Sequence, residues 1–161
     1  MDPTTTAVER QRLTDDEFAE LYPHLRRFAA VVGDRADDPD DLVQEALARL
    51  LKRGDAPDDT ERYLRRAIVN LTVDQGRRST RWATRAPKLV AADEHRDSYP
   101  SELDLLDTLD PSQRAVLWLT VVEGWTFDEI GHLLDIQPAA ARKQASRARA
   151  RLRRDQEEQQ R

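Results

Sequence analysis

The chain has 161 residues and a mass of 18.5 kDa, room for one ordinary domain or two small ones. Charged residues reach 35% and aromatics only 6%, a balance poor in sheet formers, so an all-α fold is expected. The chain lacks Cys, an apolar run near the ~18 residues of a bilayer span, and a secretion-signal stretch, which excludes disulfides, thiolate chemistry and membrane insertion and predicts a cytoplasmic protein.

A first helix is predicted from Thr14-Asp15-Asp16-Glu17, a capping box, through the stripe Phe18, Leu21, Leu25, Phe28 and Val32 to Gly33. Pro23 falls inside it and predicts a kink or a delayed start. Asp38-Pro39 opens a second helix carrying Leu42, Val43, Ala46, Leu47, Leu50 and Leu51, closed by Gly54. After an acidic turn over 54–59, a third helix is predicted from Thr60 to about Gln75, with Gly76 as its stop. Leu64, Ala67, Ile68 and Leu71 share one face of it, and Arg62, Arg66, Asn70 and Arg77 gather on the other. Such a face is either solvated or a nucleic-acid reader.

Residues 79–101 hold two prolines and no periodicity and read as a flexible linker between two small helical domains. The stretch 77–85 interleaves Trp82 among arginines, a composition suited to single-stranded nucleic acid or simply to a basic tether. A short helix is predicted around 103–109, and Asp110-Pro111 caps the next, which breaks at Gly124. Thr126-Phe127-Asp128-Glu129 is a second capping box. It starts a helix of about two turns ending near Leu134, followed by a turn over 135–137 and a long basic helix from Pro138.

A short helix, a three-residue turn and a basic helix make a helix-turn-helix. Ile130, Leu134 and Ile136 sit at its apolar places, Gly131 at the close crossing of the two helices, and Asp135 where a positive φ is wanted. On the last helix Ala141, Ala145, Ala148 and Leu152 form the inner stripe, while Arg142, Lys143, Ser146 and Arg147 point away from it toward a major groove.

The net charge of −5 conceals an alternation along the chain. Residues 1–61 carry −8, 62–91 carry +7, 92–135 carry −9 and 136–161 carry +5, which predicts two anion-binding surfaces attached to acidic, partner-facing or solvated halves. Opposite charges across a tether also predict a closed form in which the domains mask one another. The acidic residues 34–41 lack the spacing of a calcium loop and are read as helix caps; His24, His95 and His132 lack ligand spacing, and Trp118 and Trp125 are read as core. No metal site, cofactor or catalytic centre is expected, and the chain is not expected to be an enzyme.

The ordered set of segments resembles the extracytoplasmic-function group of bacterial sigma factors. Asp40-Asp41-Leu42-Val43-Gln44-Glu45, then Tyr63 through Asn70 with Asp74 and Arg77-Arg78, Leu109 through Leu117, Glu123 through Ile130, and Arg147 through Arg153 are similar to the family's segments in the family's order. An N-terminal tail over 1–13 is expected to be disordered, and the resemblance, over about residues 14–154, implies a sigma region 2-like domain over 14–78. It implies a region 4-like helix-turn-helix domain over 102–154 and a tail over 155–161. Asp41, Gln44 and Glu45 would then dock on core RNA polymerase, and Arg62, Tyr63, Arg66, Asn70, Arg77 and Arg78 would engage the −10 promoter element. Arg142, Lys143, Ser146 and Arg147 would read the −35 element, with an anti-sigma factor as a further candidate partner. Tyr63 stands where the family has Trp, the loop before it is short and acidic, and the last helix is richer in alanine than the family's. Two other readings stand beside this one: a free-standing helix-turn-helix regulator, and a sigma-like decoy or interaction module.

Overall fold

The computed structural model describes residues 13–54, 57–83 and 106–159, and every regular element among them is helical. α1 spans Asp15–Val32, α2 Pro39–Arg53 and α3 Thr60–Ala83; α4 spans Pro111–Val121, α5 Phe127–Leu134 and α6 Pro138–Gln159. A 3₁₀ turn over 106–108 precedes α4.

The helix starts are chemically specified. Thr14 caps α1 with its hydroxyl accepting from the Glu17 amide, while the Glu17 carboxylate accepts from the Thr14 amide. Thr126 and Glu129 repeat the arrangement at α5, and Asp110 with Gln113 at α4. The Asp38 side chain accepts from the Asp40 amide at the start of α2, where Pro39 takes the first helical position. The Tyr22 hydroxyl and Arg26 donate to Asp40, which ties the middle of α1 to the start of α2. These donors hold the Asp40 carboxyl below its usual range, the tyrosine bond contributing most.

α1, α2 and α3 pack on one another around Leu25, Phe28, Val43, Leu64 and Ile68, and α6 packs across α4 and α5. Leu25, Phe28, Val32, Val43, Leu64 and Ile68 in the first unit, and Val116, Leu119, Ile130 and Leu133 in the second, are fully buried. The two helical units are also packed together: α4 lies on α1 and α3, and α5 lies on α3, so one apolar core runs through both. A smaller cluster of Leu109, Leu117 and Ala148, with Leu106 and Leu152, seals the far side of the second unit.

Several expected boundaries move. α3 continues through Gly76 to Ala83, so the linker expected from residue 79 does not begin there. A mid-helix glycine costs only about 1 kcal/mol against alanine, too little to end a helix whose nearest residues Gln75, Arg77 and Arg78 are good helix formers. α1 runs through Pro23 as one element, and α6 continues to Gln159, past the boundary expected at 154. Leu13, assigned to the N-terminal tail, packs against the core. The rest of that tail, the linker over 84–101, residues 103–105 of the short helix expected before α4, and His95 lie outside the described residues.

The capping carboxylates make acid stability predictable. Glu17 and Glu129 are held below the ordinary glutamate range, chiefly by the backbone amides of Thr14 and Thr126 and next by their hydroxyls. A lowered folded pKa means that the stabilisation is present at neutral pH and is lost as the pH falls through that value. The amide shifts of Thr126 and Glu129 should therefore titrate together in the acid carboxylate range. Glu129→Gln, which keeps a neutral acceptor, should abolish that titration and reduce the acid loss of thermal stability; an unchanged titration would show that the cap is not its source.

Candidate nucleic-acid interface

The helix-turn-helix is built around a missing side chain. A Cβ on Gly131 would lie 2.7 Å from the Ile136 carbonyl oxygen and 3.3 Å from the Pro138 nitrogen, so only glycine lets the turn pass this close over α5. The Ile136 amide donates to the Gly131 carbonyl at 3.0 Å and closes the turn. Asp135 adopts φ 58°, ψ 46°, the left-handed conformation its place in the motif requires. Asp tolerates that region better than most residues do.

Ala141, Ala145 and Ala148 are fully buried where α6 crosses α4 and α5, which leaves Arg142, Lys143, Ser146 and Arg147 exposed on the other side of the helix. The Arg142 guanidinium rests 5.4 Å from the centre of the Phe127 ring at the start of α5. Lys143, Ser146 and Arg147 are thus the open group, with Arg149, Arg151, Arg153 and Arg154 continuing the cationic face along the exposed helix. A helix diameter of ~10–12 Å matches the ~12 Å width of the major groove, so this face can enter it.

The predicted outer face of α3 is less open. Leu64, Ala67, Ile68 and Leu71 are buried as expected, and Asn70 and Arg77 are exposed. Arg66 pairs with Asp135 of the helix-turn-helix at 3.1 Å, and Arg62 is held by Asp59 at 3.6 Å while also stabilising the charge on Glu129 of α5. Tyr63 is half-buried beneath the Arg53 guanidinium, 5.5 Å from its ring centre. The side chain of Arg78 and those of the rest of the 77–85 stretch beyond Arg77 are outside the described part.

On α2, Asp41, Gln44 and Glu45 are exposed and line a groove of about 690 Å³ between α2 and α3. Asp37, Asp38 and Asp74 add carboxylates to its walls, and Leu42 and Leu71 contribute apolar surface. Burial pushes the Asp37 carboxyl up from its usual range, more than the Asp34 amide and Arg114 bring it down. The groove suits a basic partner surface. No group of three or more His, Asp or Glu side chains among the described residues could hold a metal ion.

Two arginines that the sequence reading left without a role are the least exposed charged groups described. Arg65 is 3% exposed and Arg114 2%. Arg65 was legible in principle, since Glu61, Arg65, Ile68 and Thr72 follow a helical stripe and place a cation on the inner face beside Leu64. Arg114 gives no such sign: Ala115, Val116 and Leu117 are buried with it, so periodicity does not single it out.

The fold and this interface define a two-unit, all-helical DNA-binding protein of the helix-turn-helix class. The family models described as Sigma-70 region 2 and Sigma-70, region 4 match residues 18–83 and 102–152. RNA polymerase sigma factor CarQ of Myxococcus xanthus is 31% identical over 153 residues, covering 86% of each chain. ECF RNA polymerase sigma factor SigE of Mycolicibacterium smegmatis is 30% identical over 146 residues, covering 79% of this chain but only 55% of SigE. In fold the chain is similar to the sigma factor RpoE of Bartonella quintana, solved in complex with the anti-sigma factor NepR. The TM-score is 0.67 at 20% identity, covering 86% of this chain and 93% of that one. The chain belongs to the extracytoplasmic-function group of the sigma-70 family. It is therefore a transcription-initiation factor and not an enzyme.

Gly131→Ala tests the crossing. The added methyl cannot fit without moving the turn, so the variant should lose about 1–3 kcal/mol of stability by overpacking and displace α6 from its seat. Thermal unfolding and binding to promoter duplex should both fall; a variant that retains wild-type values of both would mean that the crossing is looser than 2.7 Å implies.

Proposed function

We propose that this sigma factor divides its work among three surfaces. The groove wall of Asp41, Gln44 and Glu45 docks on core RNA polymerase. The α3 face of Arg62, Tyr63, Arg66, Asn70, Arg77 and Arg78 engages the −10 element, and Arg142, Lys143, Ser146 and Arg147 of α6 read the −35 element. The first unit is the region 2-like domain and the second the region 4-like domain. The observation that carries the reading is the α5–turn–α6 geometry: a glycine-dependent crossing that seats a helix by its alanine stripe and leaves a cationic face in solvent.

Physical differences between the surfaces support the assignment. A rigid helix suits a duplex groove, where Arg and Lys address guanine edges and phosphates. An acidic groove repels DNA and attracts a basic protein surface. Among the described residues no helix is long and apolar enough to cross a membrane, and a factor that serves RNA polymerase works in the cytoplasm. An anti-sigma factor, the kind of partner bound in the RpoE structure, is a natural regulator for the same surfaces.

Run-off transcription with purified core and a cognate promoter decides the reading. The chain should co-elute with core and support initiation. Arg147→Ala should reduce promoter use by the equivalent of about 1–3 kcal/mol, roughly five- to 150-fold, with core binding unchanged. If the substituted residue contacts only phosphate, the loss should instead be uniform across promoters, with a smaller salt slope. A chain that ignores core yet binds duplex operators tightly would be a free-standing regulator.

A further inference from the structure

We infer that Phe127 is a positioning residue for the DNA-reading helix: its ring fixes the Arg142 guanidinium at the edge of α6 as a phosphate clamp and leaves base reading to Lys143, Ser146 and Arg147. The inference rests on the −35 reading of α6 and divides that surface into a part that sets register and a part that sets sequence.

The pair joins the two helices of the motif. Phe127 is the first residue of α5, and the capping box fixes the backbone around it. The Glu129 carboxylate accepts from the Thr126 amide at 2.7 Å and from its hydroxyl at 2.8 Å, while the Glu129 amide donates to that hydroxyl. The Phe127 ring is half-buried and packs against the core. The Arg142 guanidinium, arriving from α6, lies 5.4 Å from the centre of that ring. The tight crossing at Gly131 sets how the two helices lie, so ring and cation are brought together by the motif itself. Among the described residues Arg142 is the one cation of α6 that lies over a ring. Among them, too, no carboxylate pairs with it, in contrast to Arg62 and Arg66 of α3.

Stacking and hydrogen bonding use different parts of a guanidinium. The ring attracts one face of it, while the five N–H donors lie in its plane and stay available to an anion. Phenylalanine has no hydroxyl to compete for them. The ring therefore orients Arg142 without consuming a donor. An arginine free in solvent loses rotamer freedom when DNA orders it, whereas one already held over a ring has lost much of that freedom beforehand.

Placement on the helix separates Arg142 from its neighbours. At about 100° per residue, Ser146, Lys143 and Arg147 lie roughly 40°, 100° and 140° around α6 from it, and buried Ala145 lies roughly 60° to the other side. Arg142 thus stands at the margin of the exposed face, on the side of α5. In a helix-turn-helix the first helix crosses the sugar–phosphate backbone while the second lies in the groove. A guanidinium folded back over the start of α5 sits at the edge of the groove, beside that backbone, and not on its floor. Phosphate is the anion there, and a planar fork of donors suits it. Lys143, Ser146 and Arg147 are exposed and without a ring contact, so they can extend to base edges.

Holoenzyme reconstituted from core polymerase and the full chain allows binding to promoter duplex to be followed over a range of salt, and on promoters substituted one position at a time within the −35 element. Arg142→Ala should weaken binding evenly across these promoters and lower the salt slope by about 0.9, as expected for one phosphate contact. Phe127→Leu keeps the charge but frees it. Binding should fall about two- to tenfold at an unchanged slope, and should fall no further when the change is combined with Arg142→Ala. Phe127→Tyr, which keeps the ring face, should restore the binding. Arg142→Lys leaves the core untouched and loses only the planar stack, so it should match Phe127→Leu. In the isotope-labelled free chain, the Arg142 side-chain protons should show an upfield ring-current shift that Phe127→Leu abolishes and Phe127→Tyr retains. Equal loss from Phe127→Leu with and without Arg142→Ala would show that the ring only packs. A changed base preference at one −35 position in Arg142→Ala would make Arg142 a base reader. Either result overturns the inference, as does a missing ring-current shift. A wild-type chain that gives no run-off product with core, but shows the same coupling on duplex DNA by itself, would keep the clamp and remove the sigma-factor reading.

Discussion

A guanidinium that is 3% exposed has to be satisfied almost entirely by protein, and for Arg65 that requirement joins the halves of this molecule. Glu61, one helical turn back, supplies a partner within the first unit. The second carboxylate and one of the two aromatic rings come from the other unit, so Arg65 is fully satisfied only when α4 and the segment after it sit against α3. Arg114 imposes the complementary demand, since the carbonyl and carboxylate it contacts belong to the end of α1. Gly33 is itself constrained there: a Cβ would come within 2.9 Å of the Ala29 carbonyl oxygen and 3.0 Å of a Leu42 methyl. The chain thus turns tightly out of α1, and the carbonyl at that turn is the one Arg114 contacts.

The charge alternation along the sequence takes on a second meaning in this light. The acidic block 92–135 supplies Asp107, Glu123 and Asp135, which pair with Arg35, Arg65 and Arg66 of the first unit. Asp34, from the first acidic block, answers Arg114. Blocks expected to face solvent or a separate partner are therefore partly spent on each other. The acidic wall at Asp41, Gln44 and Glu45 and the cationic face of α6 take no part in these pairs and remain exposed.

What was legible in the sequence follows from the range of the interactions involved. Capping boxes, proline starts and the positive-φ turn position are set by residues within three or four places of each other. Thr14 with Glu17, Thr126 with Glu129, and Asp135 accordingly appear in the structure as read. The alanine stripe and the exposure of Lys143, Ser146 and Arg147 follow from helical periodicity. The end of α3 is not set by Gly76, because the helical continuation on either side outweighs a glycine's local penalty. The pairing of Arg66 with Asp135 lies beyond periodicity, which assigns a residue to a face without saying what lies against that face. The pairs that join the two units are not legible in the sequence, since pairing over 58 and 80 residues leaves no pattern in the intervening chain.

The closed packing also bears on how a recognition helix with a thin core is kept in order. Three alanines offer α6 far less apolar contact than valines or leucines at the same places would, and the smaller cluster beneath it depends on Leu109, Leu117 and Leu152. α4 and α5, on which α6 rests, are themselves braced from behind by α1 and α3. Support from the first unit therefore reaches α6 through the two helices that carry it. Thinly packed as it is, α6 thus draws its order from both units.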